Sequence, residues 1–153
     1  MELEKQINRF YKNCQSIDRM YEEYAKATGL TYMSSTVLGI IYDYPENCTQ
    51  KLICEETHFP KQSVNMIIKS FLEQGYVELN EIPSDRRNKQ INLSEEGKIY
   101  ADKIIGKLRK AEYNAMEALT FEQREHLINL IEIYEKSFQN NIANLIIDSN
   151  QKE

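Results

Sequence analysis

The sequence predicts a mainly α-helical chain with one small β-hairpin, and three observations predict it. Apolar residues recur at steps of three and four along most of the 153 residues, the period of helices that bury one face. Two-residue alternation is confined to the segments 76–82 and 90–93, which read as the arms of a hairpin. Only 5 Gly and 3 Pro punctuate the chain, too few for the many turns of a β-sandwich.

The elements follow in order. Ile7, Phe10, Tyr11, Cys14, Ile17, Tyr21 and Tyr24 mark one face of a long first helix, which Gly29 stops. Thr31 caps a second helix carrying Met33, Val37, Leu38, Ile41 and Tyr42, which ends before Pro45. Thr49 caps a short third helix around Leu52 and Ile53, and Pro60 suits the first position of a fourth. That fourth helix turns Val64, Ile67, Ile68 and Phe71 inward and ends at Gly75. The hairpin has Pro83 to Lys89 as its polar turn. Ser94 caps a fifth helix with Ile99, Tyr100, Ile104, Ile105 and Leu108 on its apolar face. Thr120-Phe121-Glu122-Gln123 is a capping box that opens the last helix. Two short helices followed by a hairpin make a winged helix-turn-helix over residues 31–93, with an N-terminal helix in 1–30 and two further helices in 94–153.

The terminal helices carry more apolar surface than a small domain needs. Tyr134, Phe138, Ile142, Leu145 and Ile146 line the last one, and burying such a side chain contributes roughly 1.5–3 kcal/mol. A second copy offering the same stripe across a two-fold axis buries it, so these helices are expected to make a homodimer.

Composition excludes several classes. The chain is 41% hydrophobic and 28% charged, unlike a disordered protein. No run approaches 18 apolar residues, and the charged start Met1-Glu2-Leu3-Glu4-Lys5 lacks a secretory signal. Three cysteines without paired spacing fit a cytoplasmic protein. No glycine-rich phosphate loop, nucleophile elbow or His-Glu-x-x-His helix is present, so no enzyme, cofactor or metal site is expected.

The net charge of -5 does not by itself suggest a nucleic-acid ligand. Its distribution is more telling. Residues 1–49 carry a net -2 and residues 93–153 a net -3, whereas residues 50–92 are neutral, with six cations. The fourth helix presents Lys61, Gln62, Ser63, Asn65, Met66 and Lys69 away from its core face, mostly in its N-terminal half. That end meets base edges in a helix-turn-helix. Gln and Asn pair bidentately with adenine, and Lys reaches guanine or phosphate. The hairpin tip adds Arg86, Arg87 and Lys89, cations suited to a minor groove or to phosphates. Asp85 is expected to orient an Arg, such as Arg87, by a charge-assisted bond. A solvated helix face and a charged turn that blocks edge pairing are the bland alternatives, and the two features in succession are more specific than either.

From Thr49 through Gly97 the chain resembles the MarR family of bacterial transcription regulators. The resemblance rests on Leu52-Ile53, Ser63-Val64, Ile67-Ile68 and Leu72-Glu73-Gln74-Gly75-Tyr76-Val77, then on Asp85-Arg86-Arg87 and Ile91-Asn92-Leu93-Ser94-Glu95-Glu96-Gly97. It implies a homodimeric regulator, more often a repressor than an activator, on a pseudo-palindromic operator in double-stranded DNA. It also implies relief by small phenolic or other lipophilic effectors. One departure stands on the first wing strand, where Glu78-Leu79-Asn80 replaces an Arg that often follows. A protein-interaction module or a small-molecule carrier that keeps the winged shape without binding DNA is the rival expectation.

Ten tyrosines suggest where an effector could sit. Tyr21, Tyr24, Tyr32 and Tyr42 fall near the junction of the terminal helix and the winged unit, and tyrosine suits an amphipathic ligand. Cys48, in the loop before Thr49, is expected to be the most exposed thiol and the candidate for oxidant sensing.

Overall fold

The computed structural model describes residues 1–83 and 85–150, apart from the side chains of Arg86, Arg87 and residues 148–150. Packing divides the chain into two compact units, Met1–Leu108 and Arg109–Glu153.

The first unit opens with helix α1 (Glu2–Ala27), whose only buried residue is Ala25. Helix α2 (Tyr32–Asp43) starts where the Thr31 hydroxyl accepts from the Ser34 N–H at 3.1 Å. Helix α3 (Gln50–Thr57) starts likewise, with Thr49 accepting from the Leu52 N–H at 3.1 Å. Both caps satisfy N–H groups that a helix end leaves without partners. Helix α3 ends at His58, which stands left-handed at φ 55°. Helix α4 (Lys61–Glu73) follows, with Pro60 as its extended cap rather than its first helical residue. Gly75, at φ 73°, turns the chain out of α4 in a conformation only glycine adopts freely.

Strands β1 (Val77–Ile82) and β2 (Asp85–Leu93) pair antiparallel, from Val77 opposite Leu93 to Glu81 opposite Lys89. A register shift then brings Ile82 opposite Asp85. The second strand therefore takes up most of the stretch expected to be a turn. The α2–α3 connection lies along its far side. Thr49 bridges to Gln90, the Ile91 N–H donates to the Cys48 carbonyl at 2.8 Å, and the Asn92 amide donates to the Pro45 carbonyl at 2.9 Å. The Gln90 amide donates to the Glu46 carbonyl.

Helix α5 (Glu95–Ala101) is capped by Ser94, which accepts from the Gly97 N–H at 2.9 Å and donates to the Gly75 carbonyl at 2.6 Å. Gly97 packs so closely on Tyr76 that a Cβ there would lie 1.8 Å from the Tyr76 carbonyl oxygen. A π-helical turn, Asp102–Gly106, then interrupts what the sequence predicts as one continuous helix, before α6 (Lys107–Glu117). The wide turn lets the adjacent Ile104 and Ile105 both face the core, while Ile99, expected inside, is exposed. The core draws on every element from α2 to the π turn, with Val37, Leu38, Ile41, Ile53, Val64, Phe71, Val77 and Ile91 at its centre.

In the second unit the capping box forms as expected. Thr120 accepts from the Gln123 N–H at 3.2 Å, and the Gln123 side chain accepts from the Thr120 N–H at 2.9 Å. Helix α7 (Phe121–Asn150) follows. Arg124 donates to the Leu119 carbonyl at 2.8 Å and to the Met116 carbonyl at 3.3 Å, closing the end of α6. No described side chain of α7 is buried, and its apolar residues from Leu127 to Ile147 face solvent.

Candidate nucleic-acid interface

Helix α4 divides its residues sharply by face. Val64, Ile68 and Phe71 are buried. Lys61, Gln62, Asn65, Met66 and Lys69 are exposed, and Ser63 is half-buried. Met66, the one large apolar residue on the outer face, is 66% exposed. Lys69 stands 3.9 Å from Glu73, and Lys51 3.7 Å from Glu55. Such exposed pairs are weak and leave both ammonium groups available to a polyanion.

The hairpin lies beside this helix. A cleft of about 250 Å³ lies between them, lined by Asn65 and Ile68 of α4, Leu79, Asn88, Lys89 and Ile91 of the strands, and Gln50 of α3. A neighbouring cleft of about 600 Å³ is lined by Gln50, Lys51, Cys54, Glu55, His58, Lys61 and Asn88. Asn65 and Lys89 thus line the smaller cleft and Lys61 the larger. Gln50, Lys51 and Asn88 also line these clefts and were not foreseen, because nothing in their spacing marks them. The side chains of Arg86 and Arg87 lie outside the described residues. Asp85, expected to orient an Arg, accepts from the Asn88 amide at 2.6 Å.

The four tyrosines do not form one group. The Tyr24 hydroxyl donates to the Ile104 carbonyl at 2.8 Å and the Tyr42 hydroxyl to Asp102 Oδ1 at 3.0 Å, so both meet the π turn. Tyr32 packs edge-on against Phe59, with ring centroids 6.4 Å apart, and Tyr21 is half-buried in α1. Elsewhere Tyr76 and Tyr100 stack at 4.0 Å, and burial, then Tyr76, pushes the Tyr100 phenol up.

The expectation for Cys48 is overturned. Its residue is fully buried, and burial pushes the thiol up to about 12. The reason is the pairing of its loop with Ile91, which turns the side chain into the core. A protonated, inaccessible thiol is a poor nucleophile. Cys14 and Cys54 are half-buried and free. Among the described residues no group of three or more His, Cys, Asp or Glu could hold a metal ion. No helix among them is long and apolar enough to cross a membrane.

A short helix pair with an outward polar helix, followed by a hairpin beside it, defines a winged helix-turn-helix. Residues 28–88 match the sequence model described as MarR family. The chain is 28% identical over 119 residues to the HTH-type transcriptional regulator SarZ of Staphylococcus epidermidis, covering 78% of each. Its fold is similar to that of NMB1585, a MarR family regulator from Neisseria meningitidis, with a TM-score of 0.72, 21% identity, and 91% and 97% of the two chains covered. It is also similar to that of CouR from Rhodococcus jostii RHA1 bound to p-coumaroyl-CoA, with a TM-score of 0.66, 21% identity, and 89% and 93% covered. The fold is thus that of a winged helix-turn-helix, and residues 28–88 of the chain are similar to the MarR family of transcriptional regulators.

Proposed function

We propose that the chain acts as a homodimeric repressor on a pseudo-palindromic operator. The observation that carries this reading is the outer face of α4, where Lys61, Gln62, Asn65, Met66 and Lys69 are exposed while Val64, Ile68 and Phe71 anchor the helix. In this reading α4 enters the major groove. Lys61 and Lys69 neutralise phosphate or meet guanine, Gln62 and Asn65 read base edges, and Ser63 and Met66 flank them. Lys89 and the wing arginines Arg86 and Arg87 follow the adjoining minor groove. The second copy is supported by the apolar residues that α1 and α7 leave in solvent, among them Ile17, Met20, Leu130, Phe138 and Leu145.

Release by a small lipophilic or phenolic effector belongs to the same reading. It is supported by CouR, whose structure holds p-coumaroyl-CoA. Tyr24 and Tyr42 at the π turn, with Tyr21 nearby on α1, are the residues such a ligand would disturb, and Tyr32 would sense it from the start of α2. A ligand acts only through different affinities for the two conformations.

The exposed Glu78 and Glu81 on β1 favour the rival reading, a winged module that binds protein instead of DNA. The test is selection of genomic duplex fragments by the purified protein, followed by binding of the selected sequence to wild type and Arg87→Ala. Enrichment of one sequence, weakened by the substitution with folding intact, supports the repressor. Absence of any enriched duplex supports the rival.

A further inference from the structure

Gln50 occupies an unusual place. It is the first residue of α3, and its Nε2 donates to the Lys61 carbonyl at 3.0 Å, at the first residue of α4. It lines both clefts beside the recognition helix, and among the described residues the one other residue common to their linings is Asn88 of the wing. Asn88 is itself held by Asp85 at 2.6 Å. The residue before Gln50, Thr49, caps α3 and bridges to Gln90 on β2. One dipeptide therefore touches the wing through its backbone and the start of the recognition helix through its side chain.

We infer that Gln50 is a positioning residue for DNA recognition, fixing the start of α4 against the wing so that the two meet neighbouring grooves in register. This rests on the repressor reading. The bond suits the task because its acceptor is a backbone carbonyl. It locates the helix itself, whichever way the Lys61 side chain swings. A helix start displaced by even part of a hydrogen-bond length misaligns bidentate contacts to bases, which tolerate little error, while contacts to phosphates by flexible lysines adjust. The residue should therefore affect selectivity more than general attraction to DNA.

Gln50→Met keeps the length and volume of the side chain and removes the donor. Its affinity for the selected duplex and for a random duplex of equal length is measured by fluorescence anisotropy over a range of salt, beside its melting temperature. The inference expects the selected duplex to bind about three- to tenfold more weakly, the range a single lost hydrogen bond supports. It expects random-duplex affinity, salt slope and melting temperature to stay near those of wild type. Gln50→Arg, which restores an N–H donor, should regain selectivity measured as the ratio of the two affinities. The inference is overturned if Gln50→Met keeps the wild-type ratio, or if both duplexes weaken together as a structural defect would cause. Should wild type itself prefer no duplex, the repressor reading falls first, and the two failures are told apart by that control.

Discussion

Cys48 shows how one residue's role follows from its surroundings. Its thiol is pushed up to about 12 by burial, against 9.0 for a free thiol. Between those values the unfolded chain gives up a proton that the folded chain keeps, so stability is full below pH 9 and falls as pH rises above it. Urea unfolding from pH 7 to pH 10 should show that decline, lessened in Cys48→Ala relative to its own neutral-pH value. A disulfide reagent should modify Cys48 only after unfolding, and rapid modification of the native protein would contradict the burial. Gly97 makes the opposite point, that a missing side chain can be required. A Cβ at 1.8 Å from the Tyr76 carbonyl forces backbone apart, so Gly97→Ala should cost about 3 kcal/mol or more, at the upper end of overpacking effects. Denaturant melts of the two proteins measure it.

At the scale of elements, α4 is the part that faces DNA in the proposed reading, and its two kinds of outward residue should then behave differently. Asn65→Ala should cost about 1–3 kcal/mol on the selected duplex and relax preference at one base position, whereas Lys69→Ala should weaken all duplexes alike and reduce the salt slope by about 1. Salt-dependent binding to a panel of single-base variants separates them. The face that makes this prediction was legible in the sequence, because helical spacing alone sorts Val64, Ile68 and Phe71 from Asn65 and Lys69. Both N-caps at Thr31 and Thr49 were legible for the same reason, since capping is local. The π turn was not. Ile104 and Ile105 look like ordinary neighbours on a helix, and only tertiary packing, with Tyr24 and Tyr42 donating into the turn, selects the wider winding. Gln50 escaped notice because its partner is a carbonyl eleven residues away, which no periodicity records. Cys48 was misjudged because a loop residue became a partner of β2.

For the whole molecule, the exposed apolar stripes of α1 and α7 are the strongest argument for a second copy. Phe138 is 46% exposed and Leu145 61% exposed in one chain, surface that an isologous contact would cover. Phe138→Glu should therefore shift the molecule toward monomer in sedimentation experiments while leaving the helical signal of the winged unit in place. Operator affinity should drop with it, because each half-site is then bound independently.

The most direct measurement is the stoichiometry of protein on its selected duplex, titrated at concentrations well above the dissociation constant, with the salt dependence recorded alongside. Two chains per duplex are expected, with log affinity falling by roughly 0.9 per phosphate neutralised as log salt rises. One chain per duplex, or affinity indifferent to salt, would contradict the account.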